Sequence, residues 1–213
     1  MKTPFRPGWS LLAHGRGLMR VVRAVCLAAC LVMPAVGFAA EATAHANPLS
    51  TVEDTWTTDT GAKVRLADLK GRVQVVSLFY SSCHMTCPLT LVSMRQVEAA
   101  LPAELRAQTG FVLITFLPEI DTVRVLHRFR GEQNLSARWT LLRGSDAATR
   151  KAADALGVAF RTDSFRLSHS PQIAVLDAEG RIIFRQRDLR ASSAPLVNAV
   201  RSALNAKSLT AQK

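Results

Sequence analysis

Two cysteines spaced four residues apart, Cys83 and Cys87, stand in the run Tyr80-Ser81-Ser82-Cys83-His84-Met85-Thr86-Cys87-Pro88 and are the side chains best suited to chemistry. Of the four cysteines in the chain, the other two, Cys26 and Cys30, fall in the first forty residues. A disulfide between Cys83 and Cys87 would close too short a loop to take much entropy from the unfolded chain. The pair therefore points to reactivity, either capture of a soft metal ion or thiol-disulfide exchange. Thiolates joined by an imidazole suit Cu(I) and, with more nitrogen, Cu(II). They suit zinc as well, so donor type alone leaves the metal open. A structural zinc site takes four protein ligands, and two cysteines leave such a site too open.

A third donor has to come from elsewhere in the chain. The histidines are His14, His45, His84, His127 and His169. His169 is the strongest candidate, because it is expected in a loop just ahead of a strand at Gln172–Leu176, where a loop can approach the cysteine turn. His127 follows the apolar Leu126 in a helical pattern and reads as solvated. His45 lies in a polar tether. His84 and Met85 sit between the cysteines and carry donor atoms, but neighbouring ligands on so short a loop cannot all converge. They read as second-sphere or transfer ligands.

The elements that must hold these residues follow from hydrophobic periodicity. Trp56–Leu66 alternates around Thr60-Gly61 as a small hairpin. Val73–Tyr80 is short, β-branched and bounded by turn residues, as a buried central strand should be. The cysteines come directly after it, and Leu89–Leu101 then repeats apolar residues with helical spacing, with Pro88 tolerated in the first turn. At such a junction both thiols are expected on one side, about a helical turn apart if Cys83 already enters the helix. The helix dipole would then favour thiolate at both. A second cycle pairs a strand at Phe111–Leu117 with a helix at Asp121–Arg130, and a third pairs Trp139–Leu142 with Asp146–Leu156. A hairpin follows, Gln172–Leu176 and Arg181–Gln186 across Asp177-Ala178-Glu179-Gly180, and a helix at Ser193–Asn205 closes the pattern. Strand-helix cycles ending in a hairpin and helix predict an α/β fold of thioredoxin-like (peroxiredoxin-like) plan, a mixed sheet with flanking helices.

Two segments together resemble the Sco/SenC family. Tyr80-Ser81-Ser82-Cys83-His84-Met85-Thr86-Cys87-Pro88 is similar to its turn Y-T-x-C-P-x-x-C-P. Ser168-His169-Ser170-Pro171-Gln172, running into Ile173–Leu176 and Asp177-Ala178-Glu179-Gly180, is similar to its D-H-S/T, apolar strand and D-x-x-G. The resemblance covers about Thr55 to Asn205 and includes Asp121-Thr122. It implies a copper ion, Cu(I) and/or Cu(II), held by Cys83, Cys87 and His169, in a chaperone that matures the copper centre of cytochrome c oxidase subunit II or a related copper client. Other copper chaperones or thioredoxin-like reductants are the further partners it suggests. Two positions depart from the pattern: His84 replaces the proline after the first cysteine, and Leu117 stands where the family's D-P-x-x-D-T segment has its first aspartate. The rival reading is a thiol-disulfide oxidoreductase that keeps client cysteines reduced, with Cys83 attacking and Cys87 resolving. A peroxidase ranks third, because no threonine-plus-arginine setting is legible around Cys83.

The remaining features concern location. Residues 1–23 are basic and free of acids, and Ala24–Phe38 is an apolar run ending in small residues, which together predict a secretory signal within residues 1–40 and a periplasmic location. An uncleaved membrane anchor, or a lipid on Cys30 after Leu27-Ala28-Ala29, is the alternative, so membrane proximity is expected. Residues 41–54 read as a tether, 55–205 as the copper-binding domain and 206–213 as a tail. Lys2, Arg6, Arg16, Arg20 and Arg23 account for five of the 27 basic residues, and setting them aside leaves 22 against 16 acids, an excess of six. That excess is scattered and predicts no nucleic-acid partner. Its densest group, Arg181, Arg185, Arg187 and Arg190, reads as a solvated strand face.

Overall fold

The computed structural model describes residues 49–162 and 167–211. The strands and helices are β1 (Thr55–Thr58), β2 (Lys63–Arg65), β3 (Val73–Phe79), α1 (Cys87–Ala100), α2 (Ala103–Ala107), β4 (Thr109–Thr115), α3 (Val123–Glu132), β5 (Trp139–Arg143), α4 (Asp146–Leu156), β6 (Phe160–Thr162), β7 (Leu167–His169), β8 (Ile173–Leu176), β9 (Ile182–Gln186) and α5 (Ala194–Ala211). Seven of these strands make a sheet of order β2-β1-β5-β4-β3-β8-β9, while β6 and β7 pair separately. The centre, β3 with β4 and β4 with β5, is parallel, and β8 joins β3 antiparallel. This is the mixed, thioredoxin-like sheet expected from the strand-helix cycles.

Because a strand's side chains alternate between faces, the central strands divide their apolar residues between two cores. Val73, Val75 and Phe79 of β3 and Phe111 and Leu113 of β4 join Leu91, Met94, Leu126, Leu196 and Val200 on one side. Val76 and Leu78, with Val112 and Ile114, meet Trp56, Ala152 and Leu156 on the other. Both cysteines belong to the first core. Burial on both faces is why β3 and β4 read as continuous apolar runs. The hairpin turns are set by Gly61 at φ 87° and Gly180 at φ 84°, values that glycine reaches without a Cβ penalty.

Several boundaries differ from expectation. Leu49 and Val52 are buried in the second core, so chain read as tether is packed against the domain. Helix α5 continues to Ala211 rather than stopping at Asn205. Helix α2 and the β6-β7 pair went unread, because each is only a few residues long and offers no period to recognise. Of the arginine group, Arg181, Arg187 and Arg190 are exposed as expected, while Arg185 is partly buried and donates to the Leu156 carbonyl at 3.1 Å. The secretory signal, the lipid site at Cys30 and His45 lie outside the described residues, among which no helix is long and apolar enough to cross a membrane.

Candidate metal centre

Where β3 ends, the chain must turn sharply to enter α1, and a buried carboxylate fixes that turn. Asp121, in the loop between β4 and α3, accepts hydrogen bonds from the Ser81 amide at 3.1 Å and the Ser81 hydroxyl at 2.5 Å. It also accepts one from the Thr115 hydroxyl. The carboxylate is 1% exposed, so each donor would be unsatisfied without it. Asp121→Ala is expected to lower stability by about 2–3 kcal/mol and the melting temperature by about 5–10 °C, read by thermal unfolding. An unchanged melting curve would show that the loop is held by something else.

Helix α1 starts at Cys87, with Thr86 as its N-cap, and Cys83 precedes the helix instead of entering it. The Thr86 side chain makes no capping hydrogen bond. The Cys83 sulfur takes over part of that role by accepting from the Cys87 amide at 3.4 Å. The two cysteines are therefore unequal, contrary to the expectation that the dipole would favour thiolate at both. Burial disfavours a Cys83 thiolate, yet hydrogen bonds from the Cys87 amide and thiol, the Met85 amide and the Tyr80 hydroxyl outweigh it and bring the thiol down to about 7. At Cys87 burial dominates, the adjacent Cys83 reinforces it, and the thiol is pushed up to about 12. Both residues are free thiols and both are buried.

His169 approaches the same turn from across the sheet. It ends strand β7, opposite Phe160 in β6, and so sits in a strand rather than the expected loop. The following segment is anchored to the core: Ser77 donates to the Gln172 carbonyl at 2.7 Å, and Gln172 donates to the Leu156 carbonyl at 2.6 Å. The imidazole packs on Phe116 at 4.7 Å between ring centroids and edge-on to Tyr80 at 6.4 Å. Its Nε2 lies 3.4 Å from the Thr86 hydroxyl, which in turn lies 3.9 Å from the Cys83 sulfur. Burial holds the His169 pKa below the usual imidazole value, with the Ser170 backbone opposing. Its Nδ1 is buried without a hydrogen-bond partner.

The three expected donors thus face one turn, with Thr86 between the imidazole and Cys83. Among the described residues, no three His, Cys, Asp or Glu side chains are already gathered around one point. The chemistry of the donor set nonetheless fits a soft ion. One thiol ionises near neutral pH, the imidazole is held neutral, and a buried ring nitrogen lacks a partner. His84 and Met85 are exposed beside the cysteines. His127 is solvent-facing on α3, 3.9 Å from Asp59, and takes no part. Sequence reasoning missed Thr86 and Tyr80 as neighbours of the sulfur, and no periodicity or spacing marks either. Asp121 was visible only as part of the Asp121-Thr122 match.

A family model described as SCO1/SenC matches residues 47–205. The chain belongs to the SCO1/SenC family. A Stutzerimonas stutzeri protein named for copper binding is 31% identical over 119 residues, which is 54% of this chain and 57% of that relative. The chain thus spans little more than half the length of the curated relative it matches. Among solved structures, an Aquifex aeolicus VF5 protein named for electron transfer aligns with a TM-score of 0.65 at 25% identity, over 72% of this chain and 91% of that one. Copper-bound ScoI of Bradyrhizobium japonicum aligns with a TM-score of 0.60 at 19% identity, over 70% and 96%. At that identity the second likeness speaks for the SCO1/SenC fold alone. Of the two departures from the family pattern, Leu117 is partly buried against the second core, while His84 is exposed and lines a cavity with the cysteines.

Proposed function

We propose that this SCO1/SenC protein is an exported copper chaperone that holds one copper ion through Cys83, Cys87 and His169 and passes it to cytochrome c oxidase subunit II or a related client. The observation that carries this reading is the chain of contacts from Cys83 through Thr86 to His169, 3.9 and 3.4 Å, which brings the cysteine turn beside the end of a strand distant in sequence. Copper is cargo here, and the chain's own task is to present donors in the right protonation state. Cys83 supplies a thiolate near neutral pH, Cys87 releases its proton on capture, and His169 needs no deprotonation. Thr86 stands between the imidazole and Cys83 and must yield that place for the donors to meet. Removal by stepwise ligand exchange follows naturally from so few donors. A periplasmic location, with a leader or lipid tether keeping the domain near the membrane, accords with the basic and apolar start of the chain.

The reduced protein is expected to take up one equivalent of copper saturably, and the oxidised protein, its sulfurs joined, none. Metal analysis after gel filtration of both forms tests this, and equal loading of the two would end the reading.

The unequal thiols also favour a second reading, disulfide reduction. The Cys83 thiolate attacks a client disulfide, one client sulfur leaves as thiolate, and Cys87 then resolves the mixed disulfide. The client gains two electrons and the pair ends as Cys83–Cys87 disulfide. An external dithiol reductant, such as a thioredoxin-like protein, would restore it.

A further inference from the structure

We infer that His84 is an exchange ligand for copper, a second imidazole that meets the ion on the open side of the cysteine pair before and after His169 holds it. The inference rests on the copper reading above and adds a residue that neither that reading nor the family's cysteine turn contains.

The cysteines border a cavity of about 350 Å³, and His84 lines it together with Cys83, Cys87, Tyr80 and Arg95. His169 lines a different cavity, of about 610 Å³, with Phe160 and Arg150. The two imidazoles thus line different cavities, and His84 shares the one that Cys83 and Cys87 line. His169 is half-buried and sits behind the Thr86 hydroxyl, whereas the His84 side chain is exposed. An ion arriving through the cysteine cavity therefore meets Cys83, Cys87 and His84 while Thr86 still separates it from His169. Met85 extends the series outward: its side chain is 84% exposed, which places a soft thioether at the rim. The usual objection, that adjacent ligands cannot all converge, applies to a resting set of donors. It does not apply to donors used in turn.

Sequence supports the same role. The family pattern has proline at this position, which offers no side-chain donor. Histidine here brings one into the cavity at a site where no packing requires it, since the side chain is solvent-exposed. The step is ligand exchange without electron transfer: His84 Nδ1 or Nε2 binds as a ligand of the delivering chelator leaves, the Cys87 proton passes to solvent, and His169 then replaces His84.

A ligand used only in passage lowers the barrier in both directions and leaves the end states alone. His84→Ala is therefore expected to slow both copper loading from a chelator and unloading to one by the same factor, about tenfold, with equilibrium affinity unchanged. His84→Met, which keeps a soft donor in the cavity, is expected to recover most of the rate. His84→Pro, the family's usual residue, is expected to behave as the alanine variant. Stopped-flow absorbance of the copper-thiolate band gives the rates, and chelator competition gives the affinity. A second readout is spectroscopic: Cu(II)-loaded His169→Ala should retain nitrogen coupling in its electron paramagnetic resonance spectrum, and His84→Ala/His169→Ala should lose it. Unchanged rates in His84→Ala, or a change in only one of the two rates with the matching change in affinity, would overturn the inference while leaving the copper reading intact. Wild-type copper binding by Cys83→Ala would instead remove the copper reading itself.

Discussion

Alkylation of the reduced, metal-free protein at pH 7 is expected to modify Cys83 and spare Cys87. With one thiol at about 7 and the other at about 12, the difference in thiolate content is large. About half of Cys83 is ionised at pH 7, against on the order of one part in 10⁵ of Cys87. The more basic thiolate is the better nucleophile, and a Brønsted slope near 0.45 returns about two orders of magnitude to Cys87. Cys83 still leads. Both residues are buried, Cys87 the more deeply, so access does not reverse their order. The reactive form is the deprotonated one, so the Cys83 rate should climb as pH rises through 7 and level off above 8. Iodoacetamide labelling read by peptide mass spectrometry gives both the site and the pH profile. A half-maximal rate near the ordinary thiol value of 9, or first labelling at Cys87, would show that the Cys87 amide and the Tyr80 hydroxyl do not stabilise the Cys83 thiolate.

The origin of that asymmetry shows which parts of this molecule can be read from residue types alone. The strands β3 and β4 were legible because burial on both faces demands unbroken apolar runs, and α3 and α4 because one apolar stripe recurs with helical spacing. The cysteine pair was legible as chemistry because a four-residue spacing has little structural value. What spacing could not tell is that Cys83 stops short of the helix. The distinction depends on where Ser81 is tied, and the partner, Asp121, is forty residues away. The same holds for Asp59 and Arg130, a nearly buried ion pair at 2.5 Å that joins the first hairpin to α3. Each is an ordinary charged residue in sequence and becomes structural only through a contact of long range. The β6-β7 pair was invisible for a related reason. Three-residue strands carry no period, so His169 looked like a loop residue although it forms the end of a ladder.

That placement of His169 matters for the copper series, where the largest losses are expected. Cys83→Ala and Cys87→Ala should each abolish stoichiometric copper binding, because the imidazole and one remaining sulfur make a two-donor site that competing buffers and chelators strip. His169→Ala should keep both sulfurs yet lose affinity by at least about a hundredfold, the upper end of what removal of a supporting partner alone costs. The imidazole is carried on a strand whose continuation is hydrogen-bonded to Ser77 and Leu156, which holds it in place, and the exposed His84 is a poorer substitute for so fixed a donor. Disulfide reduction needs no imidazole at this position, and the same variant should reduce a model disulfide at close to the wild-type rate. Chelator competition and a disulfide-reduction assay on one preparation therefore separate the two activities. Lost affinity with retained reduction assigns copper to His169 and exchange to the thiols. Undiminished affinity in His169→Ala would mean that the imidazole beside Thr86 is not a copper ligand, and the three-donor site would have to be abandoned.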